Sequence, residues 1–128
     1  MYKTSYVKSG LLTGTMWDTT CKWIKNSGMD VSDSRTWGNH SNSIAPANIT
    51  GYGARRKTGY SEYWKAKNIH DLAGNVWEWT NEAYSIQRFF RGGNFYNGGK
   101  TAPIKHRYNS DINNTYGGVG FRIALYIL

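Results

Sequence analysis

Apolar residues recur with a helical period over one stretch of the chain. Trp17, Cys21 and Ile24 fall at i, i+4 and i+7, and Met16 and Trp23 widen the stripe. The spacing predicts an amphipathic helix over 15–26, capped by Thr15 and followed by Gly28 in the C′ position. Elsewhere the pattern is short and strand-like. Residues 1–14 predict a short strand leading into a loop. Val76, Trp77, Trp79 and Thr80 predict a strand entered through a tight Gly74-Asn75 turn. Trp77 and Trp79 alternate with Val76 and Glu78, so both tryptophans are expected to face the core. Phe89, Phe90 and Arg91 predict another strand, closed by Gly92-Gly93, and residues 119–128 predict one terminal strand. Residues 29–63, rich in Ser, Asn, Gly and Thr, predict a long loop pinned by Trp37 and Trp64. Residues 94–118 are polar and rich in Tyr, Asn and Gly. There is no internal repeat and no linker, so residues 1–128 form a single domain.

Composition sharpens this picture. The chain is 16% aromatic, with 10 Tyr, 6 Trp and 15 Gly but only 2 Pro. Such a mixture favours short strands and long ordered loops over disorder. Charged residues make up 19% of the chain and leave a net charge of +8. The densest basic run is Arg55-Arg56-Lys57, with Lys65 and Lys67 nearby, and no DNA- or RNA-binding motif accompanies it. The lone Cys21 excludes an intramolecular disulfide framework and a cysteine-rich zinc site, and its place in the helical stripe predicts a buried structural thiol. No apolar run approaches the roughly 18–20 residues that span a bilayer, and residues 1–4 open no signal-peptide h-region.

Three blocks then carry a resemblance. Asp71-Leu72-Ala73-Gly74-Asn75-Val76-Trp77-Glu78-Trp79-Thr80, Arg91-Gly92-Gly93 and Gly120-Phe121-Arg122 occur in that order. The pattern resembles the formylglycine-generating-enzyme, or sulfatase-modifying-factor, superfamily. The resemblance implies an α+β, C-type-lectin-like fold: one main helix, small antiparallel sheets and much ordered loop. Within it, Glu78, Arg91 and Arg122 are expected to be partly buried and paired with one another, a structural role.

The enzymatic chemistry does not carry over with the scaffold. Catalytic members of the superfamily use a cysteine pair ahead of an Arg that precedes Gly-Phe-Arg. Aligned back from Gly120-Phe121-Arg122, Arg107 takes the place of that Arg, and the cysteine positions fall near Gly99 and Ile104. Neither residue can bind copper or act as a nucleophile. The iron-dependent sulfoxide synthases of the superfamily need a histidine triad, whereas His40, His70 and His106 lie far apart without His-x-x-x-His spacing. No catalytic residue and no metal site is therefore expected. Some members bind calcium, and here Asn68, Asp71 and Asn75 could supply oxygens; the plainer role for these residues is turn hydrogen bonding.

A narrower resemblance is to the variable proteins of diversity-generating retroelements, found in bacteria and their phages. It rests on Arg-Gly-Gly, a polar segment and Gly-Phe-Arg-x-Ala-Leu-Tyr-Ile at the end of a short chain. In that family, adenine-directed mutagenesis scatters Asn codons to Tyr, Ser, Asp, His, Thr, Ile and Phe, and residues 94–118 carry this palette. Lys100 and Lys105 are less easily derived that way. The resemblance implies a non-enzymatic ligand- or receptor-binding domain, displayed on a phage particle or bacterial surface, that meets a protein or glycan on its target. The expected contacts are Phe95, Tyr96, Tyr108 and Tyr116 as anchors, with Asn97, Thr101, His106, Asn109, Ser110 and Asp111 as adaptable polar partners. Alternatives are a sulfatase-modifying-factor-like enzyme or its inactive relative, and a basic nucleic-acid-binding module. The sequence sets neither the ligand nor the oligomeric state.

Overall fold

The computed structural model describes residues 6–44 and 50–127. In chain order the elements are β1 (Val7–Leu11), α1 (Gly14–Asn26), β2 (Lys65–Ala66), β3 (Ile69–His70), β4 (Trp77–Tyr84), β5 (Gln87–Arg91), β6 (Arg107–Asp111), β7 (Val119–Phe121) and β8 (Ile123–Ile127). The α+β class expected from sequence is present: one helix among the described residues, and small sheets joined by long loops.

The helix starts earlier than its apolar stripe suggests. Thr13, not Thr15, is the cap: its backbone is extended and its hydroxyl accepts from the Met16 N–H at 3.0 Å. The stripe is also narrower, since Trp17, Cys21 and Ile24 are buried but Trp23 is 48% exposed. Gly28 closes the helix at φ 91°, a left-handed angle that favours glycine. The buried stripe packs on Val31, Trp37, Ala66, Leu72, Ala73 and Ile104. Trp17 also donates its indole N–H to the Ile104 carbonyl at 2.9 Å, tying helix to loop. Burial pushes the Cys21 thiol up to about 11, so it stays protonated and serves as core. Trp37 and Trp64 are both buried and pin the long loop as expected.

The four-stranded sheet runs β6-β5-β4-β7. It is mixed, because β7 pairs parallel to β4 while β5 pairs antiparallel to both β4 and β6. One cross-strand row is aromatic throughout: Tyr108, Phe90, Trp79 and Phe121 are direct neighbours across the four strands. Phe90 is buried in the middle, while Tyr108 and Phe121 at the two edges are 58% and 66% exposed. Trp77 is buried, but Trp79, expected in the core, is only partly so, because its row lies open at the β7 edge.

Three further expectations are corrected. The terminal strand is divided: Arg122 separates β7 from β8, and β8 leaves the sheet to pair antiparallel with β1. Arg122 is drawn inward by the Glu78 carboxylate at 2.8 and 2.9 Å and by the His70 carbonyl at 2.8 Å. Glu78, Arg91 and Arg122 do not form one group. Glu78 belongs to Arg122, while Arg91 reaches Asp18 on α1 and the Lys105 carbonyl, with Glu82 at 3.7 Å. Finally, the polar segment 94–118 supplies β6, which no period within it announces.

Candidate functional site

The segment after Gly92-Gly93 is fixed by its own side chains. Asn94 is buried, and its side-chain oxygen accepts the N–H groups of Tyr96 and Asn97 at 3.0 and 3.2 Å. Asn97 returns the bond, accepting the Asn94 N–H at 3.1 Å, and the Asn94 amide donates to the Gly118 carbonyl at 3.4 Å. The Phe95 N–H donates to the Asn75 carbonyl at 3.1 Å. Asn75 is itself locked, its side chain bonding Asn39 and both backbone groups of Arg56. This framework holds Tyr96 outward, with 74% of its surface exposed.

Phe95 is not a surface anchor. It is 9% exposed, and its ring lies 4.2 Å from that of Tyr96. An aromatic residue beside a turn satisfies either role in sequence, and here burial against the frame takes Phe95 inward.

Tyr108 and His106 rise from one aromatic base. His106 lies 5.8 Å from Trp77, Tyr108 lies 5.7 Å from Phe90, and Trp77 and Phe90 meet edge-on at 5.1 Å. Tyr116 joins them: partial burial, with Tyr108 alongside, pushes its phenol above the usual range. Thr101 is exposed next to Ala102, which packs with Trp77 and Phe90. Tyr96 and Asn97 are thus held by Asn94, His106 and Tyr108 lie over Trp77 and Phe90, and the Gly118 carbonyl joins the two supports by accepting from the Trp77 N–H at 2.8 Å and the Asn94 amide at 3.4 Å.

Asn109, Ser110 and Asp111 fit this set less well. Side chains alternate along β6, so Tyr108 and Ser110 stand on the Phe90 side, while Asn109 and Asp111 stand on the Phe89 and Gln87 side. All three are half-buried and engaged locally. Asn109 donates to Gln87, Ser110 accepts from the Asn114 amide at 2.6 Å, and Asp111 accepts from the Asn113 N–H at 2.8 Å. Sequence order alone grouped residues that the pleat separates.

The structure also brings forward residues that the sequence left out. A cleft of about 570 Å³ is lined by Ser32, Lys100, Thr101, Pro103, Lys105, His106 and Arg107. The signal was the density of basic residues between 100 and 107, hidden within a segment read for its tyrosines and asparagines. Arg55 likewise crosses to the Gly117 carbonyl at 3.4 Å, beside Tyr116.

The positions of the enzymatic cysteines are closed. A Cβ at Gly99 would lie 2.7 Å from the His40 ring and 2.9 Å from the Arg35 nitrogen, and Ile104 is 0% exposed. The three histidines have separate surroundings. His40 is fully buried at 2.9 Å from the Ser34 hydroxyl, and desolvation holds its ring down to about 4. His70 lies 3.8 Å from Glu62, and His106 is exposed over Trp77. Of the oxygens that the family resemblance offers to calcium, those of Asn75 are engaged within the protein, while Asp71 accepts the Gly59 N–H through one carboxylate oxygen at 2.9 Å. Among the described residues no group of three or more His, Cys, Asp or Glu could hold a metal ion.

The model of the sulfatase-modifying factor enzyme 1-like domain matches residues 10–127. The chain belongs to this family. Among solved structures, the domain superposes on CarF with a TM-score of 0.65 and 16% identity, over 94% of this chain and 47% of CarF. It superposes on Treponema denticola variable protein 1 with a TM-score of 0.61 and 17% identity, over 90% of this chain and 46% of that one. The domain therefore spans just under half the length of each. These likenesses carry the C-type-lectin-like fold. No curated protein matches the chain.

Proposed function

We propose that this sulfatase-modifying-factor-like domain is a non-enzymatic binding module of the variable-protein type. Its recognition face is built from Tyr96, Asn97, Thr101, His106, Tyr108 and Tyr116, and its ligand is a protein or glycan displayed on a target surface. Phage particles or bacterial cell surfaces are where such a module would be presented. The observation that carries this is the contrast between frame and face. The backbone of 94–97 is tied by Asn94 and Asn75 and holds Tyr96 74% exposed, while Tyr108 stands 58% exposed beside the buried Phe90 and Tyr116 is 48% exposed. Tyrosine on a rigid support gives large contact area at low entropic cost. The fold shared with a variable protein supports this, and the closed surroundings of Gly99 and Ile104 weigh against the enzymatic chemistry found elsewhere in the family.

The test is a displayed library randomised at the exposed positions Tyr96, Thr101, His106, Tyr108 and Tyr116, with Asn97 kept because its side chain accepts the Asn94 N–H, and panned against bacterial cell surfaces. Most members should keep the parental protease resistance, since exposed substitutions cost within about 0.5 kcal/mol, and binders should emerge. A library that is largely unfolded, or folded but without binders, would sink the proposal. At the gene, a nearby near-copy of the 94–118 coding segment with adenine-only mismatches should accompany a reverse transcriptase.

A further inference from the structure

The cleft beside Thr101 and His106 has a chemistry of its own. Lys100 and Lys105 both line it, Arg107 contributes a third cation, and Ser32 and Thr101 add hydroxyls. The nearby acids are already committed. Asp33 is close enough to feel Lys100, but its carboxylate is held by the Arg35 guanidinium at 2.6–3.0 Å. Glu82 accepts from Arg107 at 2.5 Å and faces Arg91. Among the described residues, Lys100 and Lys105 have no ion-pair partner. Two ammonium groups without an ion-pair partner thus line a concavity that Pro103 also borders. At about 570 Å³ the open cleft lies within the size range of small-ligand sites.

We infer that this cleft is an acidic-sugar subsite of the recognition face. The ammonium groups of Lys100 and Lys105 would receive a carboxylate or phosphate, Ser32 and Thr101 the ring hydroxyls, and Pro103 the apolar ring face. Lysine acts here as a mobile point charge, suited to either anion. The palette argument left these two lysines outside the varied set. The subsite would then supply a constant anionic preference beside residues that change. The inference rests on the recognition face proposed above, but the two can fail separately, because the probes here are free sugars.

The experiment is a titration of the full ¹⁵N-labelled chain with glucuronate, glucose 6-phosphate and neutral glucose, at ionic strength held constant with sodium chloride. Saturable amide shifts are expected at Lys100, Thr101 and residues 105–107 with one or both acids and not with glucose. A response to glucuronate alone identifies a carboxylate ligand, and one to glucose 6-phosphate alone a phosphate ligand. The K100Q/K105Q variant should bind about tenfold or more weakly, as loss of charge-assisted hydrogen bonds requires. The charge-matched K22Q/K57Q variant should change little. The inference is overturned if neither acid gives saturable shifts, if glucose matches the acids, or if both double variants weaken binding equally.

Discussion

His40 shows how one buried residue can tune the stability of the frame behind the recognition face. Its ring is fully buried against Ser34, and desolvation outweighs the help of the Asn97 and Asn94 carbonyls, holding it down to about 4. In the unfolded chain a histidine titrates near 6.5. Between those values the unfolded state binds more protons, so stability is complete above about pH 6.5 and falls as the pH drops towards 4. The full effect is about 3 kcal/mol. Burial raises the Asp71 and Glu78 carboxyls and so works in the opposite direction at lower pH. Denaturant melts at pH 7, 6 and 5 should therefore lose stability step by step, and H40Q should flatten that slope while lowering stability throughout. An unchanged slope in H40Q would remove His40 as the source. Nothing in the sequence around Gly38-Asn39-His40 distinguishes a buried histidine from an exposed one, because the burial comes from the distant loop holding Gly93 and Gly99.

Among the elements, the junction of β7 and β8 depends on a single ion pair. Glu78 is 5% exposed and Arg122 is partly buried; their two hydrogen bonds anchor the point where the chain leaves the four-stranded sheet. Removing one member of such a pair strands the other, at a cost of roughly 3–5 kcal/mol. The two members are not equivalent. In R122A the buried carboxylate is left without its counter-ion and the His70 carbonyl loses its donor. In E78Q, Arg122 keeps the His70 carbonyl and can turn towards water. Thermal and denaturant melts should therefore rank R122A well below E78Q, and the deficit of R122A should shrink at acid pH as Glu78 takes up a proton. Equal losses would show that the pair acts only by packing. The elements themselves were legible wherever a local pattern existed: the stripe of α1, the Gly74-Asn75 turn and the β4 and β5 strands. What escaped was non-local. The partner of Glu78 could not be chosen between Arg91 and Arg122, since Arg91 sits directly opposite Glu78 across the β4–β5 pair yet is claimed by Asp18 on α1. In the candidate site, the tyrosines were legible as surface residues, but the pleat of β6, which turns Asn109 and Asp111 away from Tyr108, needed the strand to be known first.

At the scale of the whole molecule, three of the bulkiest aliphatic residues stand in an unusual place. Along β8, Ile123, Leu125 and Ile127 are 53%, 70% and 91% exposed, while Ala124 and Tyr126 turn inward, the Tyr126 hydroxyl meeting the Met16 sulfur at 3.1 Å. Alternation in sequence cannot fix the direction of this strand, because both of its faces are apolar. Leu11 lies opposite Ile123 and also lines a cavity of about 350 Å³ with Trp79, Thr80, Arg88, Ile112 and Phe121. The outward face of β8 therefore runs on into the open edge of the aromatic row. Exposed apolar patches of this extent mark contact surfaces or solubility liabilities, and the folded frame does not depend on them. The L125T/I127T variant keeps strand-favouring residues and should stay within about 0.5 kcal/mol of the parent in denaturant melts, while precipitating at a higher polyethylene glycol concentration. F90A, which empties the buried centre of the same aromatic row, should cost about 3–5 kcal/mol. If the double threonine variant instead lost stability on the scale of F90A, the face of β8 would have to be covered in solution, and the division between frame and surface drawn above would have to move to include it.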